Sequence, residues 1–427
     1  MSRLIKLMIA VAVVAMAIPA FAAVENIKVG GDIDIYGISR NNMYPLSREW
    51  VEGEDNINFF TTQARVYVKA ELTDNVEAMV RLINERDWGS YDKGSLQWRD
   101  QEHQISLDLA YIKVSDILTP GMALTVGRQE IQLGEGLVVG SQYIPFVSYI
   151  GGDTWSAAQD LGKQKAFDAV RVDYAAPAVP LDVTAFMTKV TEFYDIYDMN
   201  LYGVNLGFNL QDKARLEGYW VRCQEMGDLE ENVTTMGIRA TGNFSGLGLK
   251  GEYARQFGNW GPGGDENKGW ALLLGGEYQM PTEKSAYVKA QFNLYSGYDD
   301  SGDNTQWISL FPANVASRIG DINYVLTTTY LGPQGLSNAQ VINVGGGIRP
   351  VERLGVALDW FNVNFMEEPS WTSDKGVGNE IDASLVYDYT EDLSFGLKYG
   401  VLFLGSALED MIDQRPWQLI ASMKIKF

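Results

Sequence analysis

One cysteine, Cys223, stands alone in 427 residues, so the chain can form no disulfide within itself and no Cys-rich metal site. One histidine, His103, excludes a multi-histidine zinc centre and leaves a histidine-dependent triad a single candidate base. The nearest serine, Ser106, is three positions away, which on a strand puts it on the opposite face. His103 therefore reads as a loop residue. Basic side chains are scarce, 34 Lys and Arg against 55 Asp and Glu, for a net charge of −21. That balance does not suit nucleic acid, whose phosphates need clustered cations. The run Gly134-Glu135-Gly136 lacks the lysine and following helix of a phosphate loop, and no C-x-x-C-H haem motif occurs. The sequence thus points to no enzyme and no cofactor. Disorder is excluded as well, because apolar residues make up 46% and aromatics 12%.

Long apolar runs are missing too, with one exception near the start. Arg3 and Lys6 precede twelve unbroken apolar residues at 7–18, then Pro19 and Ala20-Phe21-Ala22. A basic region, a short apolar core and a small-x-small site make a secretory signal peptide, 1–22, cleaved after Ala22. As a helix the apolar run rises only about 18 Å, too short for about 30 Å of hydrocarbon. Cleavage removes Arg3 and Lys6 and no acid, so residues 23–427 carry −23. No cysteine follows the site to take a lipid. Beyond it there is no apolar run of about eighteen residues, so only a closed β-barrel could cross a membrane.

What the chain has instead is alternation. Phe60, Thr62, Ala64, Val66, Val68, Ala70 and Leu72 fall on one face, and Thr61, Gln63, Arg65, Tyr67, Lys69 and Glu71 on the other. Side chains switch face at every strand residue, so such a segment has one apolar and one wet side. Segments 76–82, 202–210, 270–280, 288–294, 381–389 and 393–403 repeat the pattern. Short turns at 73–75, 118–121, 176–180, 211–213, 243–246, 281–284, 350–353 and 390–392 separate them from longer polar stretches. Those stretches are 39–58, 86–102, 134–165, 192–199, 225–232, 258–268, 298–337, 366–378 and 405–415. Eight turns alternating with nine loops predict an all-β fold, an antiparallel up-and-down transmembrane barrel of about 18 strands. The strand-like segments 137–149 and 322–330 lie inside long loops, and Pro145 argues against the first as a central strand. Both read as loop structure folded toward the mouth; twenty strands is the alternative.

Trp220, Trp270, Trp360 and Trp417 share the apolar parity and fall toward the long-loop ends, as members of an aromatic belt would. A sandwich core would bury the same residues. The last strand runs Trp417, Leu419, Ala421, Met423, Ile425 and Phe427 on its apolar face. This ending resembles the insertion signal of bacterial outer-membrane barrels. It implies the barrel-assembly machinery as a partner, with outer-membrane lipid and lipopolysaccharide around the wall.

Val126-Gly127-Arg128-Gln129-Glu130, followed by Phe167-Asp168-Ala169-Val170-Arg171, resembles motifs of the alginate-export family of outer-membrane barrels. Gly378-Asn379-Glu380-Ile381-Asp382 with Tyr387, and then residues 396–405, is similar to that family's last hairpin. Ala169 stands where the family has glycine, and Leu404 where it has proline. The resemblance implies an arginine-lined channel exporting an acidic polysaccharide such as alginate, and carries over here onto Arg128 and Arg171. Simple alternation places Arg128 with Leu124 and Val126 on the lipid face. A bulge at Gly127 would turn it inward.

With the apolar parity outside, Arg65, Lys69, Arg81, Arg171, Arg215, Arg239, Lys250, Lys289 and Lys398 point into the lumen. The acids Glu71, Glu77, Asp108, Asp173, Asp182, Glu217, Glu252, Glu277, Glu380 and Asp382 join them. A charged lining sets which ions enter. These cations could form a ladder for a polyanion or simply exchange ion pairs. Asp299, Asp300 and Asp303 in 299–304 offer hard oxygens to a calcium ion, without the EF-hand spacing; a solvated turn is the plainer reading. The expected function is passive passage of a hydrophilic solute, with 134–165 or 298–337 setting the constriction. The competing reading is a structural barrel that sheathes a periplasmic or electron-transfer partner. Mass spectrometry of the exported protein should find an N-terminus at Ala23; a retained residue 1–22 segment would refute the cleavage site.

Overall fold

In hydrocarbon every backbone N–H and C=O must bond within the protein, which a strand can achieve only with a partner on each side. The computed structural model describes residues 26–43, 56–88, 105–141, 159–191, 198–211, 213–225, 231–260, 265–298, 303–313, 316–330, 336–412 and 414–427. Its first strands are β1 (Asn26–Asn41), β2 (Asn56–Thr73), β3 (Val76–Asp87), β4 (Ser106–Ser115), β5 (Met122–Gln129), β6 (Phe167–Ala175) and β7 (Leu181–Thr191). There follow β8 (Met199–Leu210), β9 (Ala214–Glu225), β10 (Asn232–Phe244), β11 (Leu247–Phe257), the short β12 (Asn259–Trp260) and β13 (Asp265–Glu266), and β14 (Trp270–Gln279). The last are β15 (Tyr287–Tyr295), β16 (Ala339–Val351), β17 (Leu354–Phe365), β18 (Gly376–Asp388), β19 (Leu393–Leu404) and β20 (Trp417–Lys426). Eighteen of them form one sheet, and β12 with β13 makes a separate hairpin in a loop.

Each barrel strand pairs antiparallel with its neighbours in the chain, and β1 also pairs with β20 from Asp32↔Lys426 to Asn41↔Trp417. Two more bonds extend that seam, Gly31 N to Phe427 O at 2.8 Å and Phe427 N to Gly31 O at 3.0 Å. The ladder has no free edge, and the eighteen-strand expectation holds. Turns are as short as the spacing predicted. Between β10 and β11, Ser245 (φ 53°) and Gly246 (φ 90°) are both left-handed, as a two-residue hairpin with the sheet's twist requires.

Alternation sorts the two faces. Ile112, Leu206, Ile238, Leu274 and Leu358 of the apolar rows are exposed on the outer wall, while Gln63, Thr188, Asn205 and Asn343 of the intervening rows are buried. Trp220, Trp270, Trp360 and Trp417 fall in the outer rows as predicted, flanked by buried Tyr219, Val221, Ala271, Phe361 and Gln418. The rhythm breaks between β3 and β4. There the register shifts after Arg81, and the extra residue Asp108 turns inward against the Arg81 guanidinium.

The inner wall is not uniformly wet. Toward the long loops, Val221, Val233, Leu273, Val341, Val363 and Leu402 are buried in one apolar cluster with residues of the loops. The strand-like segment 322–330 lies within a helix, α2 (Asp321–Tyr330), preceded by the short α1 (Ala316–Ile319). Of 137–149, residues 137–141 are irregular, and the remainder lies outside the described residues. A cation in an outer row at mid-strand should be costly: Leu358→Arg is expected to destabilise the barrel by about 2–4 kcal/mol, measured by reversible denaturant unfolding in lipid vesicles.

Candidate functional site: a lumen closed by infolded loops

Among the described residues, three of the segments that enter from the loop side divide and narrow the lumen. The first two, 130–141 and 303–313, join through backbone bonds. Phe311 N donates to Val138 O at 3.0 Å, Gly140 N to Phe311 O at 2.8 Å and Ala313 N to Gly136 O at 2.8 Å. Phe311 is fully buried and meets Phe167 of β6 edge to face, with centroids 5.8 Å apart. Gln256 of β11 clamps the plug to the wall: its Nε2 donates to Ile308 O at 2.7 Å and its Oε1 accepts from Ile308 N at 2.9 Å. Buried Arg318, just before α2, donates to Glu135 O at 2.6 Å and so ties the two loops together.

The third segment, 159–165, crosses β1, β2 and β3. Arg40 pairs with Asp160 at 2.5 Å, Gln63 Nε2 donates to Leu161 O at 2.7 Å, and Lys163 N donates to Glu85 at 2.7 Å. The Lys163 ammonium also pairs with Asp32 at 2.5 Å and Asp34 at 2.9 Å. This strap divides the lumen. On the turn side lies a cavity of 880 Å³ lined by Asp32, Asp34, Arg65 and Lys163 with turn residues such as Arg353 and Thr390. On the loop side lies one of 550 Å³, lined by Lys165, Lys289, Lys398, Asp160, Asp321, Asp359 and Asp382, with Tyr324 and Phe361.

The cations read from sequence meet acids. Arg65 pairs with Asp32 at 2.9 Å, Lys69 with Glu77 at 2.8 Å, Arg81 with Asp108 at 2.5 Å and with Glu130, and Arg171 with Asp173 at 2.7 Å. Arg215 pairs with Asp182 at 2.7 Å, Arg239 with Glu217 at 2.5 Å and Lys250 with Glu135 of the plug at 2.8 Å. Lys289 pairs with Asp359 at 2.8 Å, and Lys398 with Asp321 of α2. In this loop-side, upper cavity the lysine side chain is the more exposed partner of each pair. The Lys289 and Lys398 side chains are 30% and 42% exposed, against 19% and 13% for Asp359 and Asp321. Lys165 has no carboxylate partner among the described residues.

Arg128 departs from the expectation. Gly127 does take φ +119°, but β5 pairs with β4 and β6 residue for residue through Arg128, so no residue is added. A bulge changes face by inserting a residue, and positive φ alone does not. Arg128 stays in the row of exposed Val126, near the loop end, bonded to Asp168 at 3.0 Å and to Leu107 O at 3.0 Å. It is a rim residue, where a charge costs little. The calcium reading rests on Asp299 and Asp300, which lie outside the described residues, and on Asp303. Asp303 is taken by Lys268 at 2.5 Å, and that hydrogen bond raises the Lys268 pKa, so a cation there would compete with an ammonium already in place.

Sequence reasoning missed Asp32, Asp34 and Asp359, whose alternation with Ile33, Ile35, Leu358 and Trp360 is legible. It also missed Arg40, Lys163, Lys165, Arg318 and Asp321. Of these all but Arg40 sit in irregular or helical loop segments, where no period marks the lumen.

Phe311→Ala should remove about 3–5 kcal/mol of packing from the plug while leaving the ladder intact. Single-channel conductance is expected to rise, with unchanged β-sheet circular dichroism.

The model of the alginate export family matches residues 51–415. The fold is similar to that of Pseudomonas aeruginosa OccK3 (OpdO), with a TM-score of 0.60 at 11% identity, covering 95% of this chain and 97% of that one. OccK2 (OpdF) of the same organism, solved in complex with glucuronate, gives 0.62 at 10% identity, covering 95% and 98%. Acinetobacter baumannii OccAB4 gives 0.60 at 9% identity, covering 96% and 100%. A search of curated proteins returned no significant match. With the closed ladder and the ion-pair-lined, loop-narrowed lumen, the family match over most of its length makes the chain a bacterial outer-membrane channel of the porin-like kind, a member of the alginate export family.

Proposed function

We propose that this passive channel favours small hydroxyl-rich solutes carrying a carboxylate, admitted one at a time through the upper cavity. The observation that carries this reading is the convergence of Lys165, Lys289 and Lys398 on one space from the strap, β15 and β19, with their acids recessed. An ammonium offers three donors to a carboxylate, and charge-assisted bonds are the strong ones. The remaining lining oxygens, Ser141, Ser317, Ser384 and the carboxylates, can exchange hydrogen bonds with hydroxyls. The glucuronate bound in the OccK2 structure has this chemistry, which supports the choice of probe. Diffusion down a gradient calls for no catalytic group.

A second reading is export of a polyuronate chain. It is favoured by cations on both sides of the strap, Lys165 above and Lys163 below, which could hand carboxylates across. A continuous polymer would need 130–141, 303–313 and 316–330 displaced, since they narrow the loop side of the barrel. The terminal Phe427, exposed at the end of β20, is the proposed contact for barrel assembly.

In planar bilayers under a salt gradient, the reversal potential should report anion preference. Glucuronate should block the current, and Lys289→Gln with Lys398→Gln should weaken that block roughly tenfold, the effect of about 1.4 kcal/mol. Cation selectivity would count against any acidic solute. No conductance at all would favour a barrel that sheathes a partner.

A further inference from the structure

The acid that seats the eyelet helix belongs to the wall. Glu380 of β18 is fully buried and uses both carboxylate oxygens on the first turn of α2. Oε1 accepts from Ile322 N at 2.7 Å and Oε2 from Asn323 N at 2.9 Å. The first N–H groups of a helix have no partner within it, so they must be met from outside. Asp321 does not meet them, because its carboxylate is engaged by Lys398 of β19. Gly320 makes the approach possible: it takes φ +97°, and a Cβ there would lie 2.4 Å from Glu380 Oε2.

We infer that Glu380 is the positioning residue of this channel, seating α2 so that Asp321 covers Lys398, and thereby fixing both the bore and the charge that a solute meets. The inference rests on the upper cavity being the eyelet. Without the seat, the first turn of α2 keeps on the wall only the bonds of Asp321, its N to Asp382 Oδ2 at 3.4 Å and its carboxylate to Lys398. Asp321 then no longer has a fixed place over Lys398, which is left with the wall acid Asp382 as its neighbour and is more available to a solute. A purely structural residue would change stability alone; this one changes two electrical properties in a defined direction.

The test uses full-length channels carrying Glu380→Gln, Glu380→Asp or Gly320→Ala in planar bilayers, with heat-modifiable gel mobility to verify folding. Glu380→Gln replaces one acceptor by an NH2 that faces an N–H. It is expected to raise single-channel conductance and open-channel noise and to shift the reversal potential further toward the anion. Gly320→Ala should do the same although the wall acid is intact. Glu380→Asp, which keeps both acceptors, should fall between the parent and Glu380→Gln. Folded Glu380→Gln and Gly320→Ala channels with parental conductance, noise and reversal potential would overturn the inference. If Glu380→Gln does not fold, Gly320→Ala decides, because it lies in the infolded loop. A cation-selective parent would remove the carboxylate reading, while the conductance comparison would still test the seat.

Discussion

Hydrocarbon offers no partner to a peptide group, and that single constraint organises the molecule. Among the described residues no helix is long and apolar enough to span; eighteen strands close a ladder instead, and closure fixes which residues face lipid and which face water. Exposed Leu358 and Ile238 and buried Asn343 and Asn205 are consequences of one pleat. The lumen is then a wide cylinder that must be narrowed from within, because eighteen strands leave an aqueous bore.

Narrowing is done with soluble-protein chemistry inside a membrane protein. The plug has an apolar core of its own, with Phe311, Ile308, Leu137 and Leu326 packed on Val341, Leu273 and Phe167 of the wall. Its polar backbone is met by neighbouring loop backbone and by wall side chains such as Gln256 and Glu380. Below it the lining is ionic, and the acids there hold lysines and arginines in place while leaving the lysine side chains partly exposed. Such pairing limits net charge without removing local donors, so a solute can exchange one carboxylate for another at modest cost.

Most of the wall was legible in the sequence, because period-two alternation and turn chemistry are local. The eighteen strands and the outward tryptophans follow from parity alone, and so do the rows from which Arg65 and Lys289 line the two cavities. Arg128 did not, since φ at Gly127 and the count of residues in β5 are separate quantities and only the count sets the face. The plug was legible only as loop length. A further signal was present: alternation fails where both neighbours are apolar, as at Leu272-Leu273-Leu274 and Trp360-Phe361, the positions where the wall receives the plug or α2. Nothing local marks Lys165 or Asp321 as lumen residues, because their place depends on contacts with strands distant in the chain.

Arg40 has a consequence for how the cylinder shuts. It lies opposite Gln418 across the β1–β20 junction, bonded to that amide at 3.2 Å, and it also holds Asp160 of the strap. A slip of β20 by one position would set Trp417 or Leu419 beside a buried guanidinium and send Gln418 into the acyl chains. Only the right alignment places the Gln418 oxygen where the buried Arg40 can donate to it, so that pair marks the register of the final strand.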